Sequence, residues 1–116
     1  MRKDDSIRLQ HMLDAARSAV SFVKEDSRKA LETDQKLEFA LVKTIEIIGE
    51  AAARISEETR QSLSRVPWAN IISMRNRLIH AYFDINRDIL WNTVIEDLPP
   101  LISELERILS NTPSEK

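Results

Sequence analysis

One glycine in a chain of 116 residues limits the available folds more than any other feature. Average usage would supply about eight. Tight β-hairpins, dinucleotide-binding turns and phosphate-cradling loops draw on glycine for positive φ or close backbone approach. What remains is long helices joined by short connections. The length suits one domain over 1–116, with a core at about 5–110 and a frayed polar tail at 111–116. With 42% apolar and 31% charged residues, the chain is too apolar for disorder and too evenly charged for a membrane protein. No stretch reaches the ~20 apolar residues of a span. Met1-Arg2-Lys3-Asp4-Asp5 turns acidic at once and lacks the apolar core of a secretory signal. The absence of cysteine excludes disulfides, thiolate metal sites and a cysteine nucleophile, and a cytoplasmic location is expected.

Apolar spacing predicts the helices. The first runs from about Asp5 to Asp26 on Leu9, Met12/Leu13, Ala16, Ala19/Val20 and Val23, with Asp4, Asp5 and Ser6 as cap candidates. The polar run 26–29 reads as a helix end or connection. The second runs from about Thr33 to Ile55 on Leu37, Leu41, Thr44/Ile45, Ile48, Ala51/Ala52 and Ile55. Phe39, Ala40, Val42 and Ile47 widen that stripe, as in a helix that is central or shared with a second chain. Gly49 inside it suggests close helix–helix approach, with a ligand contact as the other reading. A short third helix spans Ser56 to Leu63. The fourth opens at Pro67-Trp68 and runs through Ile71, Ile72, Arg75, Leu78 and Ile79 to roughly His80–Tyr82, and 83–86 reads as a loop. The fifth runs from Arg87 to about Ser110, and Pro99-Pro100 must kink or split it. No strand is expected. The fold class is all-α, an antiparallel up-and-down bundle of four to five helices.

From Arg54 to Arg87 the chain holds six arginines, no lysine and three acids, whereas the remainder is acidic. The planar arginine fork matches phosphate bidentately. A phosphate-binding surface and an ordinary solvated face are both compatible with this charge. Within the window lies Met74-Arg75-Asn76-Arg77-Leu78-Ile79-His80-Ala81-Tyr82. On a continuous helix Asn76, Arg77 and His80 share a face, and Arg75 joins the apolar stripe of Ile71 and Leu78, where it needs a partner or a polar cleft. Histidine can take and return a proton near neutrality, and arginine can stabilise charge on a phosphate in transfer. Such a set suffices for metal-free cleavage of RNA through the ribose 2′-OH. DNA, which lacks that hydroxyl, is not an expected substrate. A lone histidine near a helix end is more often a cap, so spacing alone leaves both readings open. A second proton donor is missing unless a symmetric dimer brings two copies of His80 into one cleft.

Arg75-Asn76-x-x-x-His80-x-Tyr82 resembles the R-x4-H-x-Y signature of HEPN proteins of the HepT-like kind, the toxin partners of minimal nucleotidyltransferase antitoxins. Ile47-Ile48-Gly49-Glu50-Ala51, Val66-Pro67-Trp68 and Asp88-Ile89-Leu90-Trp91 also look like the family, so the likeness covers roughly Asp5 to Leu109. The resemblance implies an all-α homodimer with the motif helices of both chains on a shared cleft. It implies a metal-independent endoribonuclease with Arg75, Asn76 and His80 as catalytic residues, and no metal or other cofactor. Arg77 is the further phosphate- or RNA-binding residue. A nucleotidyltransferase partner is implied, able to silence the toxin by transferring AMP to Tyr82. The alternative is a non-catalytic subunit that binds a nucleotide or docks a nucleotidyltransferase.

Overall fold

Side-chain caps set three of the helix starts in the computed structural model, which describes residues 1–81 and 84–111, with the backbone alone for 79–81 and 84. Asp34 Oδ1 accepts from the Leu37 amide at 3.0 Å and opens α3 (Gln35–Arg54). Ser56 Oγ accepts from the Thr59 amide and opens α4 (Glu57–Ser62). Asn86 Oδ1 accepts from the Ile89 amide at 3.0 Å and opens α6 (Arg87–Asn92). Each oxygen satisfies one of the amides left unpaired in a first helical turn. The first helix departs from this pattern. α1 (Lys3–Phe22) begins after Arg2 with no side-chain cap, so Asp4, Asp5 and Ser6 all lie inside it. The polar run after α1 is followed by one further turn, α2 (Ala30–Thr33), whose Leu31 is buried.

The long helices pack as the apolar stripes require. α3 lies between α1 and α5 (Trp68–Leu78), and α1 also packs on α7 (Leu98–Asn111). Leu9, Met12, Ala16 and Ala19 of α1 meet Leu41, Ile45, Ile48 and Ala52 of α3 in one core, and none is more than 1% exposed. Gly49 sits at the α3–α5 crossing. A methyl group there would lie 3.4 Å from the Ile71 carbonyl oxygen, ordinary contact distance, so the helices approach as closely as a small residue allows.

Two expectations about helix ends are corrected. α5 stops at Leu78, before His80–Tyr82. The chain then forms a short antiparallel pair, β1 (Ile79–Ala81) with β2 (Asp84–Ile85), in the register Ile79↔Ile85 and Ala81↔Asp84. The Leu78 carbonyl accepts from the Asn86 amide at 2.9 Å, so the last turn is tied across the hairpin. β-branched Ile79 and Ile85 favour extended backbone. The class remains all-α. In the second case, the helix expected over 87–110 is interrupted as foreseen but ahead of the prolines, since Pro99 and Pro100 both lie inside α7. A π-helical turn over Thr93–Asp97 joins α6 to α7, with the Leu98 amide donating to the Thr93 carbonyl. Two prolines remove two donors and crowd the carbonyls four residues back, and the wider turn accommodates both effects. No described helix is long and apolar enough to cross a membrane.

Candidate active site at the end of α5

α5 is held at its start. Trp68 Nε1 donates to the Leu63 carbonyl at 3.0 Å, fixing the entry, and Ile71, Met74 and Leu78 form its buried stripe. This stripe differs from the expected one. Met74 replaces Arg75, and Arg75 stands at the margin with its side chain 54% exposed. There it faces α3, with Nε 3.6 Å from Glu46 Oε1. That separation is an ion pair rather than a hydrogen bond. The expected burial of Arg75 is therefore corrected, and its expected partner is Glu46.

Asn76 and Arg77 are exposed on the same last turn. Arg77 Nη2 donates to the Asn70 carbonyl at 3.0 Å, which leaves most of its donors for a ligand. It also lines a cleft of about 350 Å³ between α5, the π turn and the start of α7, together with Met74, Glu96 and Asp97. The expected common helix face of Asn76, Arg77 and His80 does not form, because the helix ends at Leu78. The His80 backbone belongs to β1. The His80 side chain and the whole of Tyr82 lie outside the described residues. Of the rest of the predicted set, Arg75 faces α3 and Arg77, two residues on, faces the π turn, so the two stand on different sides of the last turn of α5.

The hairpin that carries His80 is anchored at its base. Besides the Leu78–Asn86 bond, Arg87 Nε donates to Glu38 Oε2 at 2.7 Å, joining the start of α6 to α3. Glu38 is 7% exposed in its side chain and Arg87 45%, so this strut is half sheltered from solvent. Arg28 adds another, reaching Glu32 at 2.8 Å and Asp88 at 2.6 Å. The arginines of the basic window are consequently dispersed. Arg87 is committed to Glu38, Arg54 lines a different groove with Asp4 and Glu50, Arg60 lies on α4 and Arg65 in the turn after it, so only Arg75 and Arg77 of the six stand at the end of α5. Among the described residues no group of His, Asp and Glu is placed to hold a metal ion.

Sequence reasoning missed Glu46 and Glu38. Glu46 does carry a signal, as the one charge within Thr44-Ile45-Glu46-Ile47-Ile48. Glu38 carries none that is local, since its partner lies 49 residues away.

Comparison with known proteins agrees with the family resemblance. Residues 12–108 match the family described as ribonuclease HepT-like. The chain is 38% identical over 101 residues to "Putative RNase TTE0752" of Caldanaerobacter subterraneus, covering 87% of this chain and 90% of that one. It is 32% identical over 105 residues to "Putative RNase MJ1380" of Methanocaldococcus jannaschii, covering 90% and 96%. It is also 32% identical over 108 residues to "Probable ribonuclease HepT" of Thermococcus cleftensis, covering 93% and 98%. No solved structure gives a significant match. With an all-α fold, a family match along most of its length and relatives of nearly equal length, this chain belongs to the HepT-like ribonuclease family.

Proposed function

We propose that the protein is a metal-independent endoribonuclease, the toxin of a HEPN/nucleotidyltransferase pair, working in the cytoplasm as a homodimer. One observation supports the reading beyond family membership. α5 ends at Leu78, directly after the exposed Arg75 and Arg77, so His80 follows them on an extended backbone rather than on the helix. His80 takes the proton of a ribose 2′-OH, and that oxygen attacks the adjacent phosphorus. The P–O5′ bond breaks, giving a 2′,3′-cyclic phosphate and a 5′-oxygen that must be protonated. The partner subunit's His80 supplies that proton across the dimer cleft. Arg75 stabilises the charge gathering on the phosphoryl oxygens, Asn76 orients the attacking or leaving group, and Arg77 holds a neighbouring phosphate.

Silencing acts on the same cleft. Tyr82 receives AMP from ATP through the partner nucleotidyltransferase, with pyrophosphate as the leaving group. The added phosphate brings negative charge close in sequence to Arg75 and Arg77 and competes with RNA for them.

The test is single-turnover cleavage of RNA in EDTA. Wild type should cut, and Arg75→Ala and His80→Ala should each fold normally yet cut about 100-fold more slowly or worse. Variants that cut like wild type would contradict the assignment. A folded wild-type dimer that binds RNA and never cuts it would instead support the non-catalytic docking subunit. The silencing step is tested by intact mass after incubation with the partner nucleotidyltransferase, ATP and magnesium. The mass of at least one AMP should be gained and should vanish in Tyr82→Phe, and an adduct unaffected by Tyr82→Phe would exclude Tyr82 as the acceptor.

A further inference from the structure

We propose that Glu46 is a positioning residue for Arg75, which orients the guanidinium toward the RNA phosphate. The proposal rests on the ribonuclease reading above and adds a residue from α3 to its site. The first observation is the contact itself. Glu46 Oε1 approaches the Nε edge of Arg75 at 3.6 Å, and among the described residues no hydrogen bond engages the Nη groups. An arginine held by its Nε edge presents both Nη groups as a fork, the geometry that matches two phosphoryl oxygens.

The second observation explains why the two side chains meet. α3 and α5 cross where Gly49 faces the Ile71 carbonyl. Glu46 lies three residues before Gly49 and Arg75 four residues after Ile71, one helical turn from the crossing on each helix. The helices run antiparallel there, so one turn back on α3 and one turn forward on α5 reach the same level. This small-residue crossing puts Glu46 and Arg75 at one level, within reach of each other.

The third consideration is energetic. Arg75 is 54% exposed and Glu46 28%, and a pair so open to water contributes little to stability. The carboxylate also places a negative charge next to the site of an incoming phosphate, which works against binding. An acid in that place weakens affinity while it fixes a donor, and orientation of a charge-stabilising group acts on the chemical step.

The two effects separate in one experiment on the full-length protein. Single-turnover cleavage at saturating RNA is measured for wild type, Glu46→Gln and Arg75→Ala. In parallel, affinity is measured for a 2′-O-methyl copy of the same RNA, which lacks the attacking hydroxyl. Glu46→Gln should keep the thermal midpoint of wild type, bind the methylated RNA at least as tightly, and cleave about tenfold more slowly or worse at saturation. A Glu46→Gln rate equal to wild type, with Arg75→Ala inactive, would overturn the positioning role and leave the ribonuclease reading intact. Loss of affinity in parallel with loss of rate would also overturn it, since the residue would then act on binding. An inactive wild-type dimer would remove both the reading and this proposal.

Discussion

Asp5 is 2% exposed in the first turn of α1 and accepts three hydrogen bonds from α4 and its cap: the Ser56 amide at 3.0 Å, Ser56 Oγ at 2.6 Å and Thr59 Oγ1 at 2.6 Å. Sequence reading made it a cap candidate for its own helix. The structure makes it a cross-link to a helix more than fifty residues later, for which no local pattern exists. Burial pushes its carboxyl up, but the bonds from Ser56 and Thr59, with Arg2 nearby, outweigh that and hold it below the ordinary aspartate value. The folded state therefore binds this proton more weakly than the unfolded chain. The stabilisation is complete above the unfolded value of about 3.9 and is lost as pH falls through the lower folded value. Asp5→Ala should lower stability by about 2 kcal/mol near neutral pH, because Ser56 and Thr59 lose their acceptor. Urea unfolding measures this, and the gap between wild type and Asp5→Asn should narrow as pH drops below about 4. Equal midpoints at pH 7 would show the network to be idle. Arg75 gives the same lesson: its helical spacing was legible, but whether it sat in or beside the stripe depended on where α3 passed.

The buried stripes of α1 and α3 were legible residue by residue, because a 3.6-residue period is a property of the sequence itself. Helix ends were less so. Leu78 ends α5 through a bond to Asn86, a tertiary event, and the π turn before Pro99 absorbs a defect that the sequence could only announce. Gly49 was read as a close approach, and the Ile71 carbonyl is indeed its neighbour. A methyl group there meets the Ile71 carbonyl oxygen at ordinary contact distance. Gly49→Ala should therefore stabilise the protein by roughly 0.5–1 kcal/mol through helix propensity. Gly49→Leu should destabilise it by about 1–3 kcal/mol by forcing α3 from α5. Thermal and urea unfolding of both variants check this, and a destabilised alanine variant would mean that the crossing is tighter than its geometry indicates.

At the scale of the whole molecule, α3 leaves large apolar side chains in solvent. Phe39 is 55% exposed and Ile47 37%, and Ile47 shares a groove of about 280 Å³ with Ile7, 45% exposed, on α1. Phe39 and Ile47 are two of the four residues that made the second stripe wider than one packing face requires, and Val42, a third, is buried in the core. A homodimer through this region should bury on the order of 2,000 Å² in total. Sedimentation should give a dimer at micromolar concentration, and Phe39→Asp with Ile47→Asp should give a monomer that cleaves RNA poorly. A wild-type monomer would contradict the dimeric site. The family and the fold were legible because motif, flanks and helical periods are local, whereas Glu46 and Glu38 became visible only once α3 was seen against α5 and α6. The measurement that bears most directly on the central claim is the chemistry of the RNA ends. An oligonucleotide incubated with the wild-type protein in EDTA should yield a 2′,3′-cyclic phosphate and a 5′-OH, and a 2′-deoxy sugar at the cut position should abolish cleavage there. Undiminished cutting at the deoxy position, or products ending in a 5′-phosphate, would contradict attack by the 2′-oxygen and with it the roles of Arg75 and His80.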